Sequence, residues 1–228
     1  MTKFIGHRGF GKEEKQNTAD AFRRAAESGA YGVETDVRIT RDGVFVAFHD
    51  KSAARLSGRH KVIEETDFAK VQKLKVYDQN RRHKIPTFSN YLQHCKTSGK
   101  AAVVEIKSDL TDEQTDKLIQ EIASEDYLSN TVFISFNTRI LKYIRTRLPG
   151  QPIQLLAIRY KNVDLKFLQE YRFGLDIQHR QLTKDRISKC HELGIEVNCW
   201  TVNKSWRSKL LQQWGVDYIT TDKLAIGE

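Results

Sequence analysis

Short apolar runs alternate with stretches of helical period along nearly the whole 228-residue chain, and no other feature constrains its fold as strongly. Strands are expected at 3–7, 31–37, 101–106, 131–135, 153–158, 173–177, 195–200 and 217–220. Helical patterns fall at 17–28, 88–97, 111–124, 137–147, 164–171, 183–193 and 203–213. Several open on a cap-like residue: Asn17, Thr111 with Gln114 three later, and Asn137. Gly29, Gly99, Gly194 and Gly215 stand just past helix ends, where a left-handed cap is wanted. Eight strands alternating with helices predict an α/β fold, a closed parallel (β/α)8 TIM barrel in preference to an open doubly wound sheet. Any helix after the eighth strand is expected to be very short. The length suits a single barrel domain over 1–228, and 39% hydrophobic residues supply its core.

Residues 38–87 interrupt the alternation. ITRDGVFVAFHD reads as a hairpin with Arg41-Asp42-Gly43 near its turn, and a turn there returns His49 level with Asp36. Residues 51–84 are polar, charged and irregular, with one helical pattern near 66–75. They are expected to form a small insertion over the barrel mouth.

The strand ends carry the chemistry. KFIGHRG delivers His7, Arg8 and Gly9; VETDVR holds Glu34 and Asp36; VFVAFHD ends in His49-Asp50; VVEIK holds Glu105 and Lys107. Strand side chains alternate faces, so Glu34 projects with Asp36 and Glu105 with Lys107. Barrel sites lie at the C-terminal ends of strands, where these residues fall. Three converging carboxylates repel one another unless a cation neutralises them. A hard, oxygen-ligated ion such as Mg²⁺ or Ca²⁺ suits them. Zinc suits them less, because no cysteine and no paired-histidine motif joins the cluster. Arg8 and Lys107 fit two compatible roles, as counter-ions to the carboxylates and as partners for phosphate oxygens. Trp200 is either a core aromatic or a wall for an alcohol or choline-like group. His179 and Ser135-Phe136 are further rim candidates, whereas His60, His83, His94 and His191 read as structural.

Charge and cysteine usage narrow the partners. The net charge of +9 is spread over helices (Arg23-Arg24, Lys142, Arg145, Arg147, Lys184, Arg186), and it reads either as a solvated surface or as a field that attracts phosphate-bearing small molecules. No nucleic-acid module accompanies it. No apolar run approaches the ~20 residues of a membrane span, so no stable membrane insertion is expected. Cys95, Cys190 and Cys199 are scattered and lack CxxC spacing, which predicts buried free thiols. With site residues starting at His7 there is no room for a cleaved leader, and a cytoplasmic location is expected. GxSxG, Walker and dinucleotide motifs are all missing from the sequence.

Taken in order, HRG at 7–9, QNT at 16–18, ETDVRITRDGVFVAFHD at 34–50, RLSG at 55–58, IPTF at 85–88, EIK at 105–107, WTVN at 200–203 and GVDYITTD at 215–222 resemble the glycerophosphodiester phosphodiesterase family nearly end to end. The resemblance implies a (β/α)8 barrel with a small insertion and metal-dependent hydrolysis of glycerophosphodiesters to an alcohol and sn-glycerol 3-phosphate. It implies His7 and His49 as the acid/base pair and Glu34, Asp36 and Glu105 as metal ligands. Arg8 and Lys107 take the phosphate-proximal positions, and Trp200 that of an aromatic at the substrate pocket. The family usually reads Pro-Glu-Asn-Thr where this chain has Lys15-Gln16-Asn17-Thr18, a departure that bears on metal affinity or substrate preference. Two rival readings remain: a phospholipase D-like enzyme acting on lysophospholipids, which needs an apolar ramp for an acyl chain, and a catalytically degenerate binding module.

Overall fold

The strands of the computed structural model are, in chain order, β1 (Lys3–Gly6), β2 (Gly32–Ile39), β3 (Phe45–Ala47), β4 (Lys75–Asp78), β5 (Arg81–Lys84), β6 (Ala101–Ile106), β7 (Thr131–Ser135), β8 (Ile153–Ala157), β9 (Gly174–Gln178), β10 (Val197–Trp200) and β11 (Tyr218–Thr221). The structure describes residues 1–12, 14–78 and 81–223. Eight of these strands run parallel in the order β1-β11-β10-β9-β8-β7-β6-β2. Pairing of β1 with β2, Ile5 opposite Gly32 and Gly6 opposite Val33, closes the ring. The fold is therefore the expected (β/α)8 barrel.

Helices α1 (Ala19–Ala26), α2 (Ala54–Ser57), α3 (Phe68–Val71), α4 (Phe88–Ser98), α5 (Asp112–Ser124), α6 (Thr138–Arg147), α7 (Leu165–Glu170), α8 (Lys184–Glu192) and α9 (Ser205–Gln213) complete the chain. Apolar faces of most of these helices pack on the outside of the barrel through residues such as Phe22, Tyr91, Leu118, Ile144 and Leu211. Inside it, Ile5, Val103, Val132, Ile134, Leu156 and Tyr218 fill the lower layers. Thr111 and Gln114 form the reciprocal capping box that their spacing predicts. Gly99, Gly194 and Gly215 adopt left-handed caps, but Gly29 does not: α1 ends at a right-handed Glu27, and the chain turns through Ser28 first. A helix after the last strand lies outside the described residues.

Two local expectations are corrected. Asn17 does not cap the first helix. Thr18 does, accepting from the Ala21 amide, because Asn17 sits at φ +53° with its side chain drawn into the barrel mouth. Nor is the insertion without order. Val46, Phe48, Leu56, Ile63, Val71, Leu74, Val76 and Ile85 form an apolar cluster of their own beneath α2, α3 and the β4–β5 hairpin. Its apolar positions are spaced too irregularly to show as one period. Upstream, β3 pairs antiparallel with β2, Val37 opposite Ala47, and the Phe48 amide donates to the Asp36 carbonyl. The hairpin thus sets Phe48 opposite Asp36 and His49 one residue beyond, roughly level with Asp36 as its turn predicts.

Gly9 fixes the first loop against the barrel. Its φ is +74°, and a Cβ there would lie 2.5 Å from the Ala21 carbonyl carbon. Only glycine lets the His7-Arg8 turn rest directly on the start of α1.

Candidate active site

The ligand oxygens of Glu34, Asp36 and Glu105 lie within 4.8 Å of one another at adjacent strands, and all three residues are buried. Register explains this: β2 and β6 pair with Asp36 opposite Glu105. Asn17 donates to Asp36 Oδ2 at 2.7 Å and is itself held by the Thr35 hydroxyl at 2.9 Å, so it anchors the central carboxylate. The Arg8 amide donates to Glu34 Oε2 at 2.8 Å, and the Arg8 guanidinium Nε stands 3.1 Å from Asp36 Oδ2. Lys107 Nζ lies 2.7 Å from Glu105 Oε1 and 3.4 Å from Asp36 Oδ1. These are ion-pair contacts off the line of a hydrogen bond, for Glu34 Oε1, Asp36 Oδ1 and Glu105 Oε1 are all buried without a hydrogen-bond partner. A compact set of hard, unsatisfied oxygens fits a divalent cation.

Electrostatics agree with that fit. Burial, joined by the charges of Asp36 and Glu105, pushes the Glu34 carboxyl well above its ordinary value. Burial and then Asp36 push Glu105 up to about 7. Burial opposes ionisation of Asp36 too, but Arg8 and Lys107 together hold it below the usual carboxylate range. Carboxylates that the protein alone leaves under-neutralised await more positive charge.

Two histidines face this cluster, and each is backed by a carboxylate. His7 Nδ1 is 2.6 Å from Asp222 Oδ1, and Asn203 fixes Asp222 by donating to Oδ2 at 2.6 Å and accepting from the Asp222 amide at 2.9 Å. His49 Nδ1 is 2.7 Å from Asp50 Oδ1, and Arg55 clamps Asp50 at 2.6 and 3.1 Å. Arg38 secures the same segment by donating twice to the His49 carbonyl, at 3.0 and 2.8 Å, while pairing with Glu64 at 2.7 Å. Carboxylates on both Nδ1 atoms set the tautomer and leave each Nε2 for chemistry. Burial, with Arg8 and Lys107 adding to it against Asp36 and Asp50, lowers the His49 pKa below the ordinary imidazole value.

His7, Arg8, Glu34, His49, Glu105 and Lys107 line one cavity of ≈ 250 Å³ whose opposite wall is Ile134, Phe136, Leu156, Asp176, Trp200 and Thr220. The structure thus gathers the residues expected from sequence at one mouth, with Asp36 directly beneath. Trp200 is on the wall; its indole donates to the Asp176 carbonyl at 3.3 Å and meets Phe136 edge-on at 6.2 Å. Of the rim candidates, Phe136 joins the cavity wall, whereas His179 and Ser135 do not. His179 lies in a separate cleft with Lys204, Trp206 and Arg207, where burial and Arg207 push its pKa down to about 4. The Ser135 hydroxyl is turned to the Ile106 carbonyl at 3.0 Å.

Four contributors escaped the sequence. Asp222 and Asn203 belong to quoted motifs, yet nothing local pairs them with a histidine 215 residues away. Asn17 looked like a cap. Asp176, within the apolar stretch FGLDIQ, is 2% exposed, and its Oδ1 has no hydrogen-bond partner. Burial, then the charge of Glu105, pushes its carboxyl well above the usual range. An orphaned buried oxygen of this kind costs about 1–3 kcal/mol.

Gln16, the departure noted in the sequence, accepts from Arg8 Nη1 at 2.9 Å. A glutamate there gives Arg8 a charged partner and adds negative charge beside the cluster. Gln16→Glu is therefore expected to tighten the apparent metal constant several-fold, with a smaller change in turnover at saturating metal. Activity titrated against Mg²⁺ and Ca²⁺ in both proteins checks this; an unchanged constant would confine Gln16 to holding Arg8.

The family model described as the glycerophosphoryl diester phosphodiesterase family matches residues 7–226. The glycerophosphodiester phosphodiesterase of Caldanaerobacter subterraneus subsp. tengcongensis is 26% identical over 231 residues, covering 97% of this chain and 94% of the relative. Among solved structures, a glycerophosphodiester phosphodiesterase from Parabacteroides distasonis superposes with a TM-score of 0.84 at 30% identity, covering 97% of this chain and 92% of the other. An Oleispira antarctica phosphodiesterase in complex with the product sn-glycerol-3-phosphate reaches 0.89 at 22% identity, covering 99% and 95%.

Proposed function

The chain belongs to the glycerophosphoryl diester phosphodiesterase family, and on that premise we propose that it hydrolyses glycerophosphodiesters such as glycerophosphocholine or glycerophosphoethanolamine to an alcohol and sn-glycerol 3-phosphate. The observation that carries the reading is the convergence of two carboxylate-backed histidines and a three-carboxylate cluster on one cavity.

In this reading Glu34, Asp36 and Glu105 would hold a divalent cation, which would supply positive charge to the phosphate. Arg8 and Lys107 line the same wall and stabilise the charge that gathers on the phosphoryl oxygens. His49, kept neutral by its lowered pKa, takes the proton of the attacking oxygen. His7, with Asp222 behind it to stabilise the imidazolium, gives a proton to the leaving alkoxide. Water or the glycerol's neighbouring hydroxyl supplies the attacking oxygen, and trapping of a cyclic phosphate distinguishes the two. Trp200 walls the substrate pocket. The three cysteines are unpaired and buried, and we place the enzyme in the cytoplasm on that account. Among the described residues no helix is long and apolar enough to cross a membrane.

The pH profile follows from His49. Its folded pKa lies below 6.5, so its neutral form persists below that pH and the acidic limb of kcat/KM is expected below 6.5. The same shift makes His49 contribute stability above pH 6.5, lost as pH falls through its folded value. An acidic limb that persists in His49→Gln but is lost in His7→Gln would reverse the assignment of base.

Incubation with glycerophosphocholine, glycerophosphoethanolamine and lysophosphatidylcholine tests the reading. Release of sn-glycerol 3-phosphate from the first two is expected. Turnover of the lysolipid alone would favour the phospholipase D-like alternative, and no turnover of any would favour a binding module.

A further inference from the structure

The inner end of the cavity differs from its mouth. Phe136 and Trp200 stand at the rim, whereas Ile134, Leu156, Asp176 and Thr220 lie deeper on their strands and are all buried. Most polar groups at this depth are satisfied: Thr220 Oγ1 donates to Asn198 Oδ1 at 3.2 Å, and Asn198 Nδ2 to Gln154 Oε1 at 3.0 Å. Outside the carboxylate cluster, Asp176 is the exception among the described residues. It sits beside these groups, opposite Leu156 and Asn198 in register, with Oδ1 buried and without a hydrogen-bond partner among the described residues. A buried polar group left so inside a substrate cavity is explained by a partner that arrives with the ligand.

We propose that Asp176 is a substrate-binding residue that reads a hydroxyl of the substrate's glycerol unit at the closed end of the cavity. This rests on the glycerophosphodiester reading above. Glycerol is the constant half of such substrates and suits a closed end, while the variable head group leaves through the open mouth. Apolar Ile134 and Leu156 face its carbons, and Asp176 and Thr220 offer oxygens to its hydroxyls. A hydroxyl serves Asp176 in either protonation state, donating to a carboxylate or accepting from a carboxylic acid. An ammonium head group would bring a second charge to a wall that already faces Glu105, but only the ionised carboxylate could hold it.

The test compares kcat/KM for glycerophosphocholine with that for two analogues, one lacking the secondary and one the terminal hydroxyl. Wild-type protein is expected to prefer the complete glycerol by about 10- to 100-fold over at least one analogue. Asp176→Leu should reduce that preference below about threefold, and Asp176→Asn, which keeps an acceptor, should retain part of it. Binding of sn-glycerol 3-phosphate against its deoxy analogues, followed by calorimetry, gives the same comparison without turnover should the leucine variant be inactive or misfolded. An undiminished preference in both variants overturns the proposal. So does a loss confined to choline substrates, with glycerophosphoglycerol unaffected, which would assign Asp176 to the cation. Failure of wild-type protein to hydrolyse any glycerophosphodiester is a different outcome, and it removes the functional reading before Asp176 is in question.

Discussion

His7→Ala and His49→Ala are each expected to lower turnover of glycerophosphocholine by about two to four orders of magnitude. Both rings line the cavity beside the carboxylate cluster, and both are held through Nδ1 by an aspartate, at 2.6 and 2.7 Å. Removing a ring deletes the proton relay but leaves its aspartate held by Asn203 or Arg55, and the backbone of either strand end stays as it was. Thermal midpoints should therefore move little. Steady-state kinetics at saturating metal check this, and a variant that retains near-wild-type turnover takes its histidine out of the mechanism. The double variant should be little worse than the poorer single one, since groups that act on one proton path are not additive. Asp222→Asn should fall between, because it keeps the ring in place but loses the charge that supports it.

The backing carboxylates mark where sequence reading reached its limit. Strand alternation placed eight strands and exposed the i, i+2 pairs Glu34/Asp36 and Glu105/Lys107, because strand geometry is local and a period of two needs no tertiary knowledge. The hairpin turn located His49 for the same reason. Asp222 could not be found this way. Its partnership with His7 depends on barrel closure, which brings the two ends of the chain together through β1 and β11. Asn before a helix is a good cap on local grounds, and only the hydrogen bond to buried Asp36 shows that the Asn17 side chain is otherwise engaged. The insertion looked irregular because its elements are single turns and a short hairpin, too brief for any periodicity to register. Asp176 hid in a strand whose neighbours are apolar, where the ordinary expectation is a charge held by a partner, and none is present among the described residues.

The second large effect belongs to the carboxylates. Glu34→Gln, Asp36→Asn and Glu105→Gln should each weaken metal binding by one or more orders of magnitude, with Asp36→Asn the most severe, because ligand charge count helps set affinity. Asp36 stands at the centre, touched by Arg8, Lys107 and Asn17. Its loss removes a ligand and frees two cations to repel the ion. The fold should tolerate Glu34→Gln and Glu105→Gln well, since burial already raises both carboxyls toward the neutral form that glutamine imitates. Calorimetric titration with Mg²⁺ or Ca²⁺ measures the affinities directly. Wild-type affinity in all three variants would place the ion elsewhere.

Metal-dependent hydrolysis of a glycerophosphodiester in this cavity is read out in one reaction by phosphorus NMR. Glycerophosphocholine is followed with untreated protein, with protein stripped by chelator, and with stripped protein given back Mg²⁺ or Ca²⁺. Conversion to sn-glycerol 3-phosphate is expected in the first, none in the second, and recovery in the third. Full conversion in excess chelator, or phosphocholine as the phosphorus-bearing product, would contradict it.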